Sequence, residues 1–423
     1  METSGANATH DGLQDDLISE MFSYFSSSAD ARSPVLFRRW AAISAVAASL
    51  ERRVWVTTGM WKTYCNLFIL FVAAPGTGKL VISSARRFMR AAKEPGTKSP
   101  AFKVAPTNMT KASLIDELAK SKQTRLTPSG TTTTYHSLYI APEEFGAFLS
   151  TYDTAYIGLL NTIYNNEDVY DETRRFGTKE VSLENPQINL ISGVQPAFMS
   201  HFFPEEVWAS GLARRIIMIF SAEKKINDPF KIFDLPEDLY ERIERKLGRL
   251  SQLHGSLTWA DDAQQYFRSW VLAGAKPEPE HSKLTGYNNT RVEFLIKLSG
   301  ISAISRTCKL FATSRIELLD IHRAIAWLLE AERFMPDVFK AMTGKNDMQI
   351  VEELWRFVVL EFEKGGRKGV GQEEVIRFLL DKAPQEKIAP VIKLALDAKM
   401  IELKDPLNML YAPKGRHLHR EEG

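Results

Sequence analysis

Leu67-Phe-Ile-Leu-Phe-Val-Ala-Ala-Pro-Gly-Thr-Gly-Lys-Leu80 is the stretch on which the reading of this chain turns. Its apolar run, Leu67 to Ala74, is too short to span a bilayer and is bounded by a turn, so it predicts a strand buried on both faces. From Lys79 to Ala92 the apolar residues fall at helical spacing. Strand, glycine-rich turn and helix in that order form a setting that holds phosphate. Gly76 and Gly78 let the backbone curl so that amide hydrogens point inward. Lys79 adds a cation, and the helix start adds the positive end of its dipole. The candidate nucleotide-binding residues are therefore Pro75, Gly76, Thr77, Gly78, Lys79 and Leu80.

Two positions depart from the full pattern G-x-x-x-x-G-K-S/T. Ala73 stands at the first glycine, a mild change. Leu80 stands where a hydroxyl is needed for magnesium, and a leucine cannot ligate a metal. Ser83 and Ser84 lie about a helical turn further on and are expected to point elsewhere. The loop predicts binding of a nucleoside triphosphate; Leu80 leaves hydrolysis open.

Outward from the loop, short apolar runs recur. Ser137–Ile140, Ile188–Ser192 and Ile216–Phe220 read as three further strands, with helices such as Leu114–Ser121 between them. Pro128–Thr134 is polar and reads as a loop. This alternation predicts an α/β fold whose parallel sheet is flanked by helices, over residues 61–234. Ahead of it, 1–12 read as disordered and 13–60 as a helical segment ending in the strand Arg53–Thr57. From about Leu235 the strand signal stops, and helical periods fill 239–254, 261–272, 290–312 and 316–343. Residues 235–346 are therefore expected to form an all-helical domain. Residues 347–413 predict three helices followed by a β-hairpin, the winged-helix pattern, and 414–423 a flexible basic tail.

The 423 residues carry a net charge of +2, with 44% hydrophobic and 25% charged residues, an ordinary globular balance that excludes a uniformly basic nucleic-acid binder. The two cysteines, Cys65 and Cys308, have no neighbour at zinc-ligand spacing. A reduced, cytoplasmic location with no membrane partner is expected.

A nucleotide hydrolase needs an acid near magnesium and a base for the attacking water. Leu138-Tyr-Ile-Ala-Pro-Glu-Glu144 ends a strand in two carboxylates. Glu143 is the candidate holder of magnesium through water, and Glu144 the candidate to polarise the attacking water. Gln195, at the end of the next strand, is the candidate to orient that water, with a plain turn residue as the alternative. Arg214 and Arg215, before the last strand, are either a solvated edge or an arginine finger reaching a neighbouring subunit's nucleotide. Arg291, at a helix start, is a candidate phosphate contact or an ordinary paired surface arginine.

The order of these motifs resembles the AAA+ family of P-loop ATPases. Thr290-Arg-Val-Glu-Phe-Leu-Ile-Lys-Leu-Ser299 looks like the lid motif of minichromosome-maintenance helicases, and Leu212–Ile216 is similar to their arginine-finger segment, with Arg214 and Ile216 departing from its serine and phenylalanine. Residues 34–220, through Cys65-Asn66 and Asn185-Pro186, also resemble helicase-type ATPases of phages and mobile elements, often found beside a primase. The resemblance covers roughly residues 30–330. It implies an AAA+ P-loop NTPase with a lid, a hexameric homo-oligomeric ring, ATP and Mg2+ as ligands, and single- or double-stranded DNA as partner, with a primase or other replication protein alongside.

Candidate DNA contacts are local. Arg174, Arg175, Phe176 and Lys179 sit in a basic, aromatic, glycine-containing stretch suited to a hairpin that tracks phosphates and stacks on bases. Lys393 and Lys399, with Lys387, lie on or beside the third helix of the last module, diluted by Glu386 and Asp397. Two functions remain open: an ATP-driven DNA helicase or translocase of phage or mobile-element replication, and a nucleotide-switched loader or transposition or replication regulator with weak or no hydrolysis. An inactive variant of such a motor is a third.

Overall fold

Val54–Thr58 (β1) and Trp61–Tyr64 (β2) form a hairpin just ahead of the central strand Phe68–Val72 (β3). A second hairpin joins Lys122–Leu126 (β4) to Thr132–Ile140 (β5), and a third joins Val169–Thr173 (β6) to Glu180–Glu184 (β7). Pro186–Val194 (β8) and Ile216–Phe220 (β9) follow. This computed structural model describes residues 16–127, 130–149, 153–173, 180–208, 211–223, 228, 230, 233, 236–311, 314–342, 347–366, 368–383 and 385–414. The expected disorder of residues 1–12 and the expected tail beyond Lys414 lie outside these. The chain divides into two units, 1–342 and 343–423.

The larger unit is built on a five-stranded sheet in the order β4-β5-β8-β3-β9. β5, β8, β3 and β9 run parallel; β4 is antiparallel and edges the sheet. Every residue of β3 and β8 is buried. Their apolar runs are continuous because helices cover both faces. Alternate residues of a strand face opposite sides. Phe71 stacks on Phe37 of the helix Val35–Leu50 with ring centroids 4.3 Å apart. Phe68 meets Tyr164 of the helix Thr154–Tyr164 edge-on, at 4.9 Å, on the other face. The sheet is thus α/β as expected, but longer than the apolar runs alone. β5 begins at Thr132, so Thr132–Thr134 are strand and not loop: paired to β4, the threonines fit a half-exposed edge.

The expected all-helical domain over 235–346 needs correcting. Helices do occupy Glu237–Leu250, Asp261–Leu272, Arg291–Thr307, Leu318–Glu332 and Met335–Met342. Between them, however, Gly255–Trp259 (β10) and Arg315–Ile316 (β11) join β1 and β2 in a second sheet, ordered β11-β10-β1-β2. β10 pairs parallel with β1, Val54 opposite Gly255. The N-terminal segment is bound in the same way. Asp16, which caps the helix Leu17–Ser27, accepts hydrogen bonds from Ser305 Oγ (2.7 Å) and Arg323 Nη2 (2.8 Å). Residues 16–60 and 236–342 therefore share one core with the central sheet, instead of forming separate helical pieces.

The smaller unit has helices Asp347–Lys364, Gln372–Leu380 and Gln385–Asp397, then the hairpin Ile401–Asp405 and Leu410–Pro413. A short strand at Val370–Gly371, not expected, pairs with Leu410–Tyr411 and makes the sheet three-stranded. A core of its own, including Val351, Leu354, Val391 and Tyr411, closes this unit. Among the described residues no helix is long and apolar enough to cross a membrane.

Candidate functional site

The loop leaving β3 is held tightly. Ala73 N donates to Val194 O (3.2 Å), extending the β3–β8 ladder by one rung. Thr77 then folds back on Ala74, its hydroxyl donating to Ala74 O at 2.8 Å. Gly76 and Gly78 adopt φ of +77° and +88°, the left-handed region where a side chain is disfavoured. At Gly78 space matters as well: a Cβ would lie 2.9 Å from Arg32 O and 3.1 Å from Ser33 Cα. The helix Val81–Ala91 follows directly. Pro75 and Gly76 are exposed, so the loop presents its backbone to solvent.

Register brings the acids to the same edge. Leu190 of β8 sits opposite both Phe68 of β3 and Ile140 of β5. β5 therefore ends level with the start of β3, and residues 141–144 continue towards the loop. Pro142 has no amide hydrogen to extend the ladder. Instead Ser192 Oγ donates to Pro142 O at 2.9 Å and ties this segment to β8. Gly193 comes next, and a Cβ there would sit 2.6 Å from Glu143 O and 2.5 Å from Lys79 Cδ. Because β8 lies between β3 and β5, loop and acids are separated by two inter-strand spacings, about 9–10 Å.

Side chains bridge that gap. Lys79 Nζ lies 3.2 Å from Glu144 Oε1. Ser83 Oγ hydrogen-bonds Glu143 Oε1. The expectation that both serines point away from the acids holds for Ser84, which accepts from Arg87 Nη2 at 3.5 Å, and fails for Ser83. Its hydroxyl faces the acid segment because residue 83 falls one helical turn after residue 80, on nearly the same side of the helix. Leu80 itself is 48% exposed and touches neither acid through a polar group. Gln195, half-buried, follows Val194 at the same edge; its side chain makes no hydrogen bond among the described residues.

The arginines divide. Arg215 is buried at the opposite end of β9 from the loop edge. It donates to Gly211 O (2.6 Å) and Asn165 Oδ1 (2.6 Å), with its guanidinium over Tyr164. Arg214 beside it is exposed, with no partner among the described residues. Arg291 departs from the expected phosphate contact. It is 1% exposed and clasps Glu332 through Nε (2.6 Å) and Nη2 (2.8 Å), with further bonds to Ala275 O and Pro277 O. Buried against one carboxylate and two carbonyls, it has four of its five N–H donors committed. Asn66 and Asn185 are also structural: Asn66 accepts from buried Lys297 (3.2 Å), and Asn185 accepts from Arg52 (2.9 Å).

Of the candidate DNA contacts, Arg174, Arg175, Phe176 and Lys179 lie outside the described residues. Lys393 and Lys399 are exposed, Lys393 on the helix Gln385–Asp397 and Lys399 just past it with φ of +55°.

The site thus places one lysine, two carboxylates and a serine hydroxyl around a glycine-rich turn. Such a set suits a polyanion that brings its own oxygens to a cation. Among the described residues no three His, Cys, Asp or Glu side chains are grouped to hold a metal by themselves. Magnesium is ordinarily held by one or two carboxylates together with phosphate oxygens and water, so Glu143 fits that role and Leu80 does not. The chain matches no protein-family model, and no curated protein matches it.

Proposed function

We propose that the chain binds ATP with magnesium at residues 75–79 and hydrolyses it as an AAA+ type P-loop ATPase, acting on DNA as a ring-forming helicase or translocase. The observation that carries this reading is the meeting of Lys79 with Glu144, and of Glu143 with the first turn of the following helix, across Gly193. In the proposed cycle the terminal phosphates take Lys79 from Glu144. Glu144 is then free to accept a proton from the attacking water, and Gln195 is within the same edge to orient it. Glu143 would hold magnesium through its water shell, and the ion would supply charge neutralisation on the phosphates. Arg214 is the finger candidate for a neighbouring subunit. In the smaller unit, three helices and a hairpin support a winged-helix reading, with Lys393 and Lys399 as its DNA contacts.

A second reading, a nucleotide-switched loader or regulator with little turnover, is favoured by Arg291. Its commitment to Glu332 leaves the site without that lid arginine. Turnover of ATP by the full chain, with and without single- and double-stranded DNA at low salt, separates the two. The motor reading expects DNA-stimulated hydrolysis, abolished by Lys79→Ala. Nucleotide-dependent assembly with no stimulation by any DNA favours the switch. Absence of nucleotide binding refutes both.

A further inference from the structure

Position 80 carries no hydroxyl, yet a hydroxyl stands beside the magnesium-holding acid. We infer that Ser83 supplies the hydroxyl that Leu80 lacks, forming with Glu143 the pair that secures magnesium. This rests on the ATP-binding reading above and adds to it a residue that the loop pattern does not include.

Three observations converge. Ser83 Oγ is bonded to Glu143 Oε1, leaving the second carboxylate oxygen to a ligand. Glu143 replaces the usual, shorter aspartate, and its extra methylene lengthens the reach from the acid segment towards the helix. The backbone of that acid segment is fixed from the other side, by Ser192 on Pro142 O and by Gly193 against Glu143 O. The lengthened acid offsets part of the hydroxyl's displacement: three residues along a helix advance about 4.5 Å and return to nearly the same face, and the extra methylene recovers at most about 1.5 Å of it. Ser84, the other hydroxyl of that turn, is buried and accepts from Arg87 Nη2 at 3.5 Å, and it is excluded.

The test is equilibrium binding of a fluorescent ATP analogue to the full chain, titrated with MgCl2 and repeated in EDTA. Ser83→Ala is expected to raise the magnesium concentration for half-maximal enhancement about tenfold or more, the usual loss on removing a metal site's supporting group. Affinity in EDTA stays as in the unsubstituted chain, which shows that the fold and loop are intact. Ser83→Thr keeps the magnesium response, and Leu80→Ser combined with Ser83→Ala regains it. An unchanged magnesium titration in Ser83→Ala, with nucleotide still bound, overturns this inference alone. Failure of the unsubstituted chain to bind the analogue with or without magnesium overturns the functional reading, and this inference with it.

Discussion

Gly193→Ala adds one carbon at the most crowded point of the site. Gly193 lies opposite Phe71 in the ladder, one residue before the level at which the loop leaves β3. The new Cβ would stand 2.5 Å from Lys79 Cδ and 2.6 Å from Glu143 O, whereas real Cβ contacts are essentially never under 3.0 Å. The lysine methylene can swing aside, but only by moving the amine from its place near Glu144. The Glu143 carbonyl is backbone, tethered through Pro142 to Ser192, and must retreat by about 0.4 Å to reach 3.0 Å and about 0.8 Å to reach ordinary contact. Overpacking of this kind costs about 1–3 kcal/mol of stability. Its larger effect is on alignment, where a displacement approaching 1 Å costs on the order of 10²-fold in rate. Circular dichroism through a thermal ramp and steady-state ATP turnover measure the two separately. The expected result is a modestly lowered Tm with turnover down about a hundredfold. Wild-type turnover in a folded Gly193→Ala chain would refute the reasoning that Lys79 and the acids work as one unit packed over this residue.

The adjacent arginines should separate cleanly. Arg214→Ala should leave Tm and nucleotide affinity unchanged while lowering turnover about 10³-fold, the ordinary worth of an arginine finger; Arg215→Ala should instead lower Tm, because it removes a buried side chain that bonds Asn165 Oδ1 and Gly211 O and packs over Tyr164. Acid should loosen the N-terminal helix. Burial pushes the Asp16 carboxyl up, but Arg323 and the Ser19 and Ser305 hydroxyls outweigh it and hold it below its ordinary value. A depressed carboxyl contributes stability that is full above its unfolded pKa, about 3.9. That stability falls away as pH drops through the lower folded value. Asp16→Asn should flatten this acid limb in a pH series of Tm, and an unaltered limb would refute the assignment.

How much of this was legible in the sequence follows from the range of the interactions. The loop, its strand and the acid pair are local patterns: an apolar run, two glycines at fixed spacing, and carboxylates just past a second run. Helices from 237 to 342 were legible through their 3.6-residue period. The strand Gly255–Trp259 was not. It offers only Leu257 and Trp259 as large apolar residues, and its partner β1 lies some two hundred residues earlier, so nothing near it encodes the pairing. Arg291 looked available for the same reason: Glu332, which claims it, is 41 residues away. The division between Arg214 and Arg215 depends on which face each takes at the entry to β9. Ser83 was misread because a helix start sets its own phase, and the reach of glutamate over aspartate is invisible to a pattern.

The contact between Lys79 and Glu144 bears on where a slow step would arise. Glu144 is 54% exposed at its side chain, so the pair is a partly solvated one. Such pairs contribute about 0–1 kcal/mol, because water and salt screen the attraction. An incoming triphosphate carries several negative charges to the same ammonium and adds backbone amides of the loop as further donors. Under the proposed ATP-binding reading, Glu144 would not hold Lys79 against nucleotide, and its release would be no barrier to binding. The pair instead keeps both side chains in the gap above β8 at little energetic cost. If hydrolysis proves slow, the cause must lie in what the site lacks within one chain. The hydroxyl is displaced by a turn, Arg291 is committed to Glu332, and the exposed Arg214 lies at the end of β9 remote from the loop. Under the ring reading proposed above, the last of these would come from another copy of the chain, so turnover is expected to depend on assembly and binding is not.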